Sequence, residues 1–143
     1  LYMLNIESSV DLLNILLEAE RAGVKVINEL LTPANKENLN IILKRFLEDE
    51  GMNCQILFNL IKHSGGEPSK RTGDFVGKVQ AISDISEKIN MLVKGQEWVS
   101  KIIRKCRHLF NGGSNYLFLE AIKVQHEQNI EELKNYSASF LLY

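Results

Sequence analysis

The sequence predicts an all-α chain in which four long helices form a four-helix bundle. A long crossover joins the second helix to the third and holds a short extra helix. Three observations carry this prediction. Apolar residues recur in alternating steps of three and four along four long windows, the spacing that lines one face of a helix. Proline occurs only at Pro33 and Pro68, and paired glycines only at Gly65-Gly66 and Gly112-Gly113, so the strongest helix-breaking signals fall between the windows. The connections then run short, long, short, which is the pattern of a bundle with one crossover.

The first helix opens at "SSVD", where Ser8 or Ser9 can cap and Asp11 favours the positive helix end. It stops before Thr32-Pro33, because the residue preceding a proline is disfavoured in a helix. The second window runs from Lys36 to His63 and meets the first glycine pair, suited to a left-handed helix terminus. Residues 64–83, "SGGEPSKRTGDFVGKVQAIS", are too polar and glycine-rich for a core helix and read as the crossover, with "GDFVGKVQAI" as its short helix. Asp84, with Glu87 three residues on as a capping-box partner, starts the third helix, which reaches Phe110. The fourth spans Asn115 to Ala138, and "SFLLY" beyond it is free to pack back or to dock on a partner.

A chain of 143 residues fits one domain. At that size folding buries roughly two thirds of the surface that the unfolded chain exposes, so neither a staple nor a metal is required for stability. Hydrophobic residues at 45% and charged residues at 24% match ordinary globular averages. A net charge of -1 gives no basic footprint, so no nucleic acid and no membrane partner is expected. Apolar runs are too short to span a bilayer or to serve as a signal-peptide core, and the expected location is cytoplasmic. Cys54 and Cys106 lie in separate windows without metal-like spacing and read as reduced, buried thiols.

Each apolar seam is interrupted at its middle by polar residues. Glu20 lies between Leu17 and Val24 in the first helix, and Glu50 and Asn53 lie between Phe46 and Leu57 in the second. Gln96 lies between Leu92 and Val99 in the third, and His126 and Asn129 lie between Ile122 and Leu133 in the fourth. Measured from the turns, these positions are nearly level, and at ~1.5 Å of rise per residue the six side chains can meet at mid-height. Glu97 and Glu127 sit one position off the seam and are expected outside it, although a modest helix rotation would bring either inward.

This layout resembles the ferritin-like superfamily, whose di-iron members carry Glu, Glu-x-x-His, Glu and Glu-x-x-His on successive helices. The phrases "LLEAERAGVKV", "EDEGMNC", "TGDFVGKV", "KGQEWVSKI" and "HEQNI" are similar to those of a bacterial family of stand-alone ferritin-like domains, a resemblance that implies a fold and carries no activity. In those slots this chain offers Glu20, Glu50 with Asn53, Gln96, and His126 with Asn129. A carboxylate-bridged metal pair needs about four carboxylates and two imidazoles, so no di-iron centre is expected.

Two readings follow. The first is a buried polar layer without a cofactor, in which His126 and the amides donate to Glu20 and Glu50, and which fixes helix register in a domain with a structural or interaction role. The second is a mononuclear metal-dependent oxidoreductase or hydroxylase with a single iron or manganese ion on Glu20, Glu50 and His126, backed by Asn53, Gln96 and Asn129. A homodimer is expected from the frequency of twofold pairing and from apolar surface near Trp98, whose other expected role is packing the crossover. No catalytic residue is identified. "GDFVGKV" fails the phosphate-loop pattern in spacing and in the residue after lysine. His63 and His108 fall near helix ends, where an imidazolium favours the dipole.

Overall fold

The computed structural model describes residues 6–110 and 113–140, the side chains of 138–140 excepted. Those residues are all-helical: α1 (Ser9–Leu30), α2 (Glu37–His63), α3 (Phe75–Gln80), α4 (Ile85–Cys106) and α5 (Ser114–Phe140), packed together.

Local chemistry sets the ends. The Ser8 hydroxyl accepts the Asp11 N–H while the Asp11 carboxylate accepts the Ser8 N–H, a reciprocal box that starts α1. Gly65 adopts φ 77°, and the Gly66 N–H donates to the Ile61 carbonyl, which closes α2 in the left-handed manner glycine permits. Asp84 accepts the Glu87 N–H and starts α4.

Three helices differ in their ends from what the sequence predicts. α4 ends at Cys106, and Arg107–Leu109 tighten into a 3-10 turn before Phe110, because the terminal turn loses its forward partners and i to i+3 bonds replace them. The crossover helix is only six residues long, and α5 starts at Ser114 and runs past Ala138 to Phe140. Of the "SFLLY" tail, residues 141–143 lie outside the described residues, as does Gly112.

Two apolar clusters divide the core along its length. One joins the end of α1 (Val26, Ile27, Leu30), the start of α2 (Leu39, Leu43, Phe46), the start of α4 and the end of α5. The other joins the start of α1 (Leu12, Leu13, Leu16, Leu17), the end of α2 (Leu57, Ile61), the end of α4 and the start of α5. It follows that α1 and α5 run one way and α2 and α4 the other, and that residues 64–84 return the chain along the length of the molecule. The closest pairs are α1 with α2 and α4 with α5, while α3 packs on α1 and α4.

The crossover is held by specific groups. Asn14 donates to the Glu67 carbonyl and accepts the Ser69 N–H, and the Arg21 guanidinium donates to the carbonyls of Ser69 and Arg71. The Phe75 ring lies against Gly95 so closely that an added Cβ would stand 2.9 Å from its Cζ. Phe75 is thus the aromatic that seats the crossover on α4, and Trp98 stands exposed. Cys54 and Cys106 are free thiols, both half-buried where full burial was expected, because each lies at the margin of a cluster.

No helix among the described residues is long and apolar enough to cross a membrane. Truncating a fully buried core residue removes contacts and leaves a cavity, so Leu43→Ala should destabilise the fold by about 2–5 kcal/mol in urea unfolding. Ile41→Ala, two residues away and 61% exposed, should change stability by less than about 0.5 kcal/mol.

Candidate metal centre

Between the two apolar clusters every long helix contributes buried polar groups: Glu20 from α1, Glu50 and Asn53 from α2, Gln96 and Ser100 from α4, His126 and Asn129 from α5. Three of them form the centre. One ligand atom each from Glu20, Glu50 and His126 lie within 4.8 Å of one another, and all three residues are buried. His126 Nε2 is 3.0 Å from Glu20 Oε1 and 3.8 Å from Glu50 Oε1.

The His126 ring is oriented by its own helix. Nδ1 lies 2.9 Å from the carbonyl of Ile122, one turn back. A carbonyl can only accept, so Nδ1 carries the proton and donates, and Nε2 of the neutral ring is a lone pair. That lone pair faces carboxylate oxygens, and the arrangement is repulsive unless a proton or a cation stands between them. With no proton on Nε2 the 3.0 Å approach is not a hydrogen bond, and among the described residues Nε2, both Glu20 oxygens and Glu50 Oε2 are buried without a hydrogen-bond partner.

The amides divide unequally. Gln96 Nε2 donates to Glu50 Oε1 at 2.8 Å, and Asn129 Nδ2 reaches Gln96 Oε1 at 3.5 Å, the limit for such a bond. Asn53 turns away from the carboxylates and donates to Gln125 on α5 at 2.8 Å. None of the amides reaches Glu20. Glu97 and Glu127 stay outside the core: Glu97 pairs with Lys134, and Glu127 with Arg104 and Lys123.

Burial first, and then the neighbouring Glu20 charge, hold the Glu50 carboxyl well above the usual carboxylate range, only partly offset by the Gln96 hydrogen bond. For His126 burial disfavours the cation, but the Glu20 carboxylate 3.0 Å away and the Ile122 carbonyl at Nδ1 outweigh it, and its pKa is raised. Burial, then the same carboxylates, push the Cys54 thiol up to about 12, so it supplies no thiolate at neutral pH.

One contributor is absent from the sequence reading. Gly23, a turn beyond Glu20 on α1, forms the hollow that receives the Glu50 carboxylate, since an added Cβ would stand 2.6 Å from Glu50 Oε1. A glycine mid-helix costs about 1 kcal/mol relative to alanine. That cost, in a chain whose seam was read through Val24 instead, was the available signal. The donor set fits a divalent ion: two carboxylates cancel its charge in a dry core, and a histidine tied through Nδ1 to a backbone carbonyl presents Nε2 as metal-ligating histidines do.

The pH dependence of the metal-free protein follows with a definite sign. Glu50 and His126 both bind protons more tightly folded than unfolded, so their contributions are complete below the unfolded values, about 4.3 and 6.5, and are lost as pH rises through the folded ones. Thermal unfolding of metal-free protein should therefore show a midpoint that climbs as pH falls from 8 toward 5. Glu50→Gln should flatten that slope and raise the midpoint at pH 8.

Searches of curated proteins and of solved structures return no match to the chain. One family model does match, described as a domain of unknown function and designated DUF6306, over residues 7–135. That span includes all four long-helix contributions to the centre, and the chain belongs to this DUF6306 family.

Proposed function

We propose that this protein is a ferritin-like helical domain that binds a single divalent iron or manganese ion on Glu20, Glu50 and His126. One observation carries the reading. Four buried atoms on three converging side chains, Glu20 Oε1 and Oε2, Glu50 Oε2 and His126 Nε2, have no hydrogen-bond partner among the described residues. A polar layer kept for packing alone would have its polar atoms paired, because each buried orphan costs roughly 1–3 kcal/mol. The carboxylate-rich set with one imidazole suits iron or manganese better than thiolate-seeking metals. Among the described residues two carboxylates and one imidazole converge there, so one ion is assigned and not a bridged pair.

Such an ion, when bound, supplies Lewis acidity and, as iron or manganese, redox capacity, which places an oxidoreductase or hydroxylase within the chemistry of the site. The residues of this chain do the rest. Gly23 leaves room for Glu50, Gln96 fixes the Glu50 carboxylate, and Ile122 fixes the His126 tautomer. The flanking apolar clusters keep water out.

A second reading, a cofactor-free layer in a domain that acts through its surface as a homodimer, is favoured by the amide chain from Asn129 through Gln96 to Glu50. Exposed Leu117 and Val124 on α5 give that surface its apolar character.

Titration calorimetry and metal analysis separate the two. The first reading expects one equivalent of Mn²⁺ or anaerobic Fe²⁺ per chain, with about 2.7 kcal/mol of added stability at a hundredfold excess over Kd. Glu50→Ala/His126→Ala should bind none. Gly23→Ala, with its helical circular dichroism intact, should bind about 10- to 100-fold more weakly, as when a supporting group is lost. No binding by the unaltered protein would leave the second reading, and two equivalents would call for a dinuclear centre.

A further inference from the structure

The centre is closed on every side, so an ion must pass between helices to reach it. The four flanks differ in what they present. Toward α1 and α2 the surface pocket is lined by Arg21 and Lys25 together with Val24, Gly51, Cys54 and Thr72, a mouth that repels cations. Between α1 and α4 the chain is covered by α3, which packs on both. Between α4 and α5 the acidic groups are already matched, Glu97 with Lys134 and Glu127 with Arg104 and Lys123.

The α2–α5 flank is different. These two helices pack less closely than α1 with α2 or α4 with α5. Two polar rungs bridge them, Asn53 to Gln125 and, two turns along, Arg45 to Glu132. Asp49 falls on α2 between these rungs, one turn from each. It is half-buried and takes part in no hydrogen bond or ion pair among the described residues. Arg45, the cation one turn away, is paired with Glu132, and its charge also reaches Asp49. Asp49 precedes Glu50 directly on α2 and is half-buried, so it stands on the flank of the centre. With Arg45 offset by Glu132, the charge of Asp49 leaves the seam net negative, and a net negative mouth on a desolvated path concentrates cations and raises their rate of arrival.

Resting on the single-ion reading above, we propose that a divalent cation reaches Glu20, Glu50 and His126 through the α2–α5 seam. Asp49 draws the ion in, and the Asn53–Gln125 pair parts to admit it. Asp49 is a loading residue and not a ligand, since it lies outside the group whose donor atoms converge. Gln125 is the movable half of the latch, being half-buried on α5 while Asn53 is fully enclosed.

The test mixes metal-free protein with excess Co²⁺ in a stopped-flow instrument and follows the visible absorbance of the bound ion. Asp49→Asn should slow loading about tenfold or more at low salt, and the difference should shrink as salt is added. Release should slow alongside loading, so that Kd moves far less than either rate. Asp49→Glu should keep the fast rate, which separates charge from damage to the fold. Glu97→Gln, on the α4–α5 flank, should load as the unaltered protein does, and Gln125→Ala should load faster. Equal rates for Asp49→Asn and the unaltered protein would overturn the route while leaving the site in place. Slowing by Glu97→Gln as large as that by Asp49→Asn would overturn it as well, and an unaltered protein that develops no band would overturn the site and the route together.

Discussion

A histidine lone pair aimed at two carboxylates in a dry core is the constraint around which this molecule is organised. The Ile122 carbonyl takes the Nδ1 proton, so Nε2 is left facing Glu20 at 3.0 Å with nothing aligned to donate to it. The three side chains are buried between two apolar clusters, so the contact lies away from bulk water. The options are a proton shared at the cost of holding charge in a low dielectric, or a cation whose charge the carboxylates cancel.

The rest of the structure serves or tolerates that centre. Leucine and isoleucine clusters above and below it supply the burial that stabilises the fold, and they make every polar atom at mid-height expensive. Gly23 gives up helix propensity so that the Glu50 carboxylate has somewhere to lie. Gln96 satisfies one oxygen of Glu50 but leaves the other, and no amide reaches Glu20. The layer therefore carries an internal imbalance confined to three residues, while the surrounding amides and the surface ion pairs are matched. An imbalance so localised, in a core otherwise packed with aliphatic side chains, is one that a proton or a cation between the three side chains would neutralise.

The lateral organisation follows the same logic of charge. Arginine and lysine guard one flank, matched ion pairs lace another, and a short helix covers a third. The remaining seam carries an unpaired carboxylate beside an amide latch. Helix α2 thus has two distinct acidic functions on adjacent residues, because neighbouring positions differ by about 100° around the axis. Glu50 points to the centre and Asp49 to the seam.

By itself, the sequence determined the helical class, the four long windows, a cap at Ser8 or Ser9 and another at Asp84, the glycine stop at Gly65-Gly66 and the level at which the seams turn polar. These are local or periodic properties, and a period of 3.6 residues suffices to say which side chains share a face. Only the tertiary structure decided which of the six polar groups meet. Whether Asn53 turns to a carboxylate or to Gln125, whether Glu97 enters the core, and whether a glycine on α1 makes room for a carboxylate on α2 depend on helix rotation and separation by a few ångströms, and no single helix encodes these. The same limit explains why Asp49 reads as a surface acid until the seam beside it is seen. It lies between the two rungs that tie α2 to α5, a helix some eighty residues away in the chain.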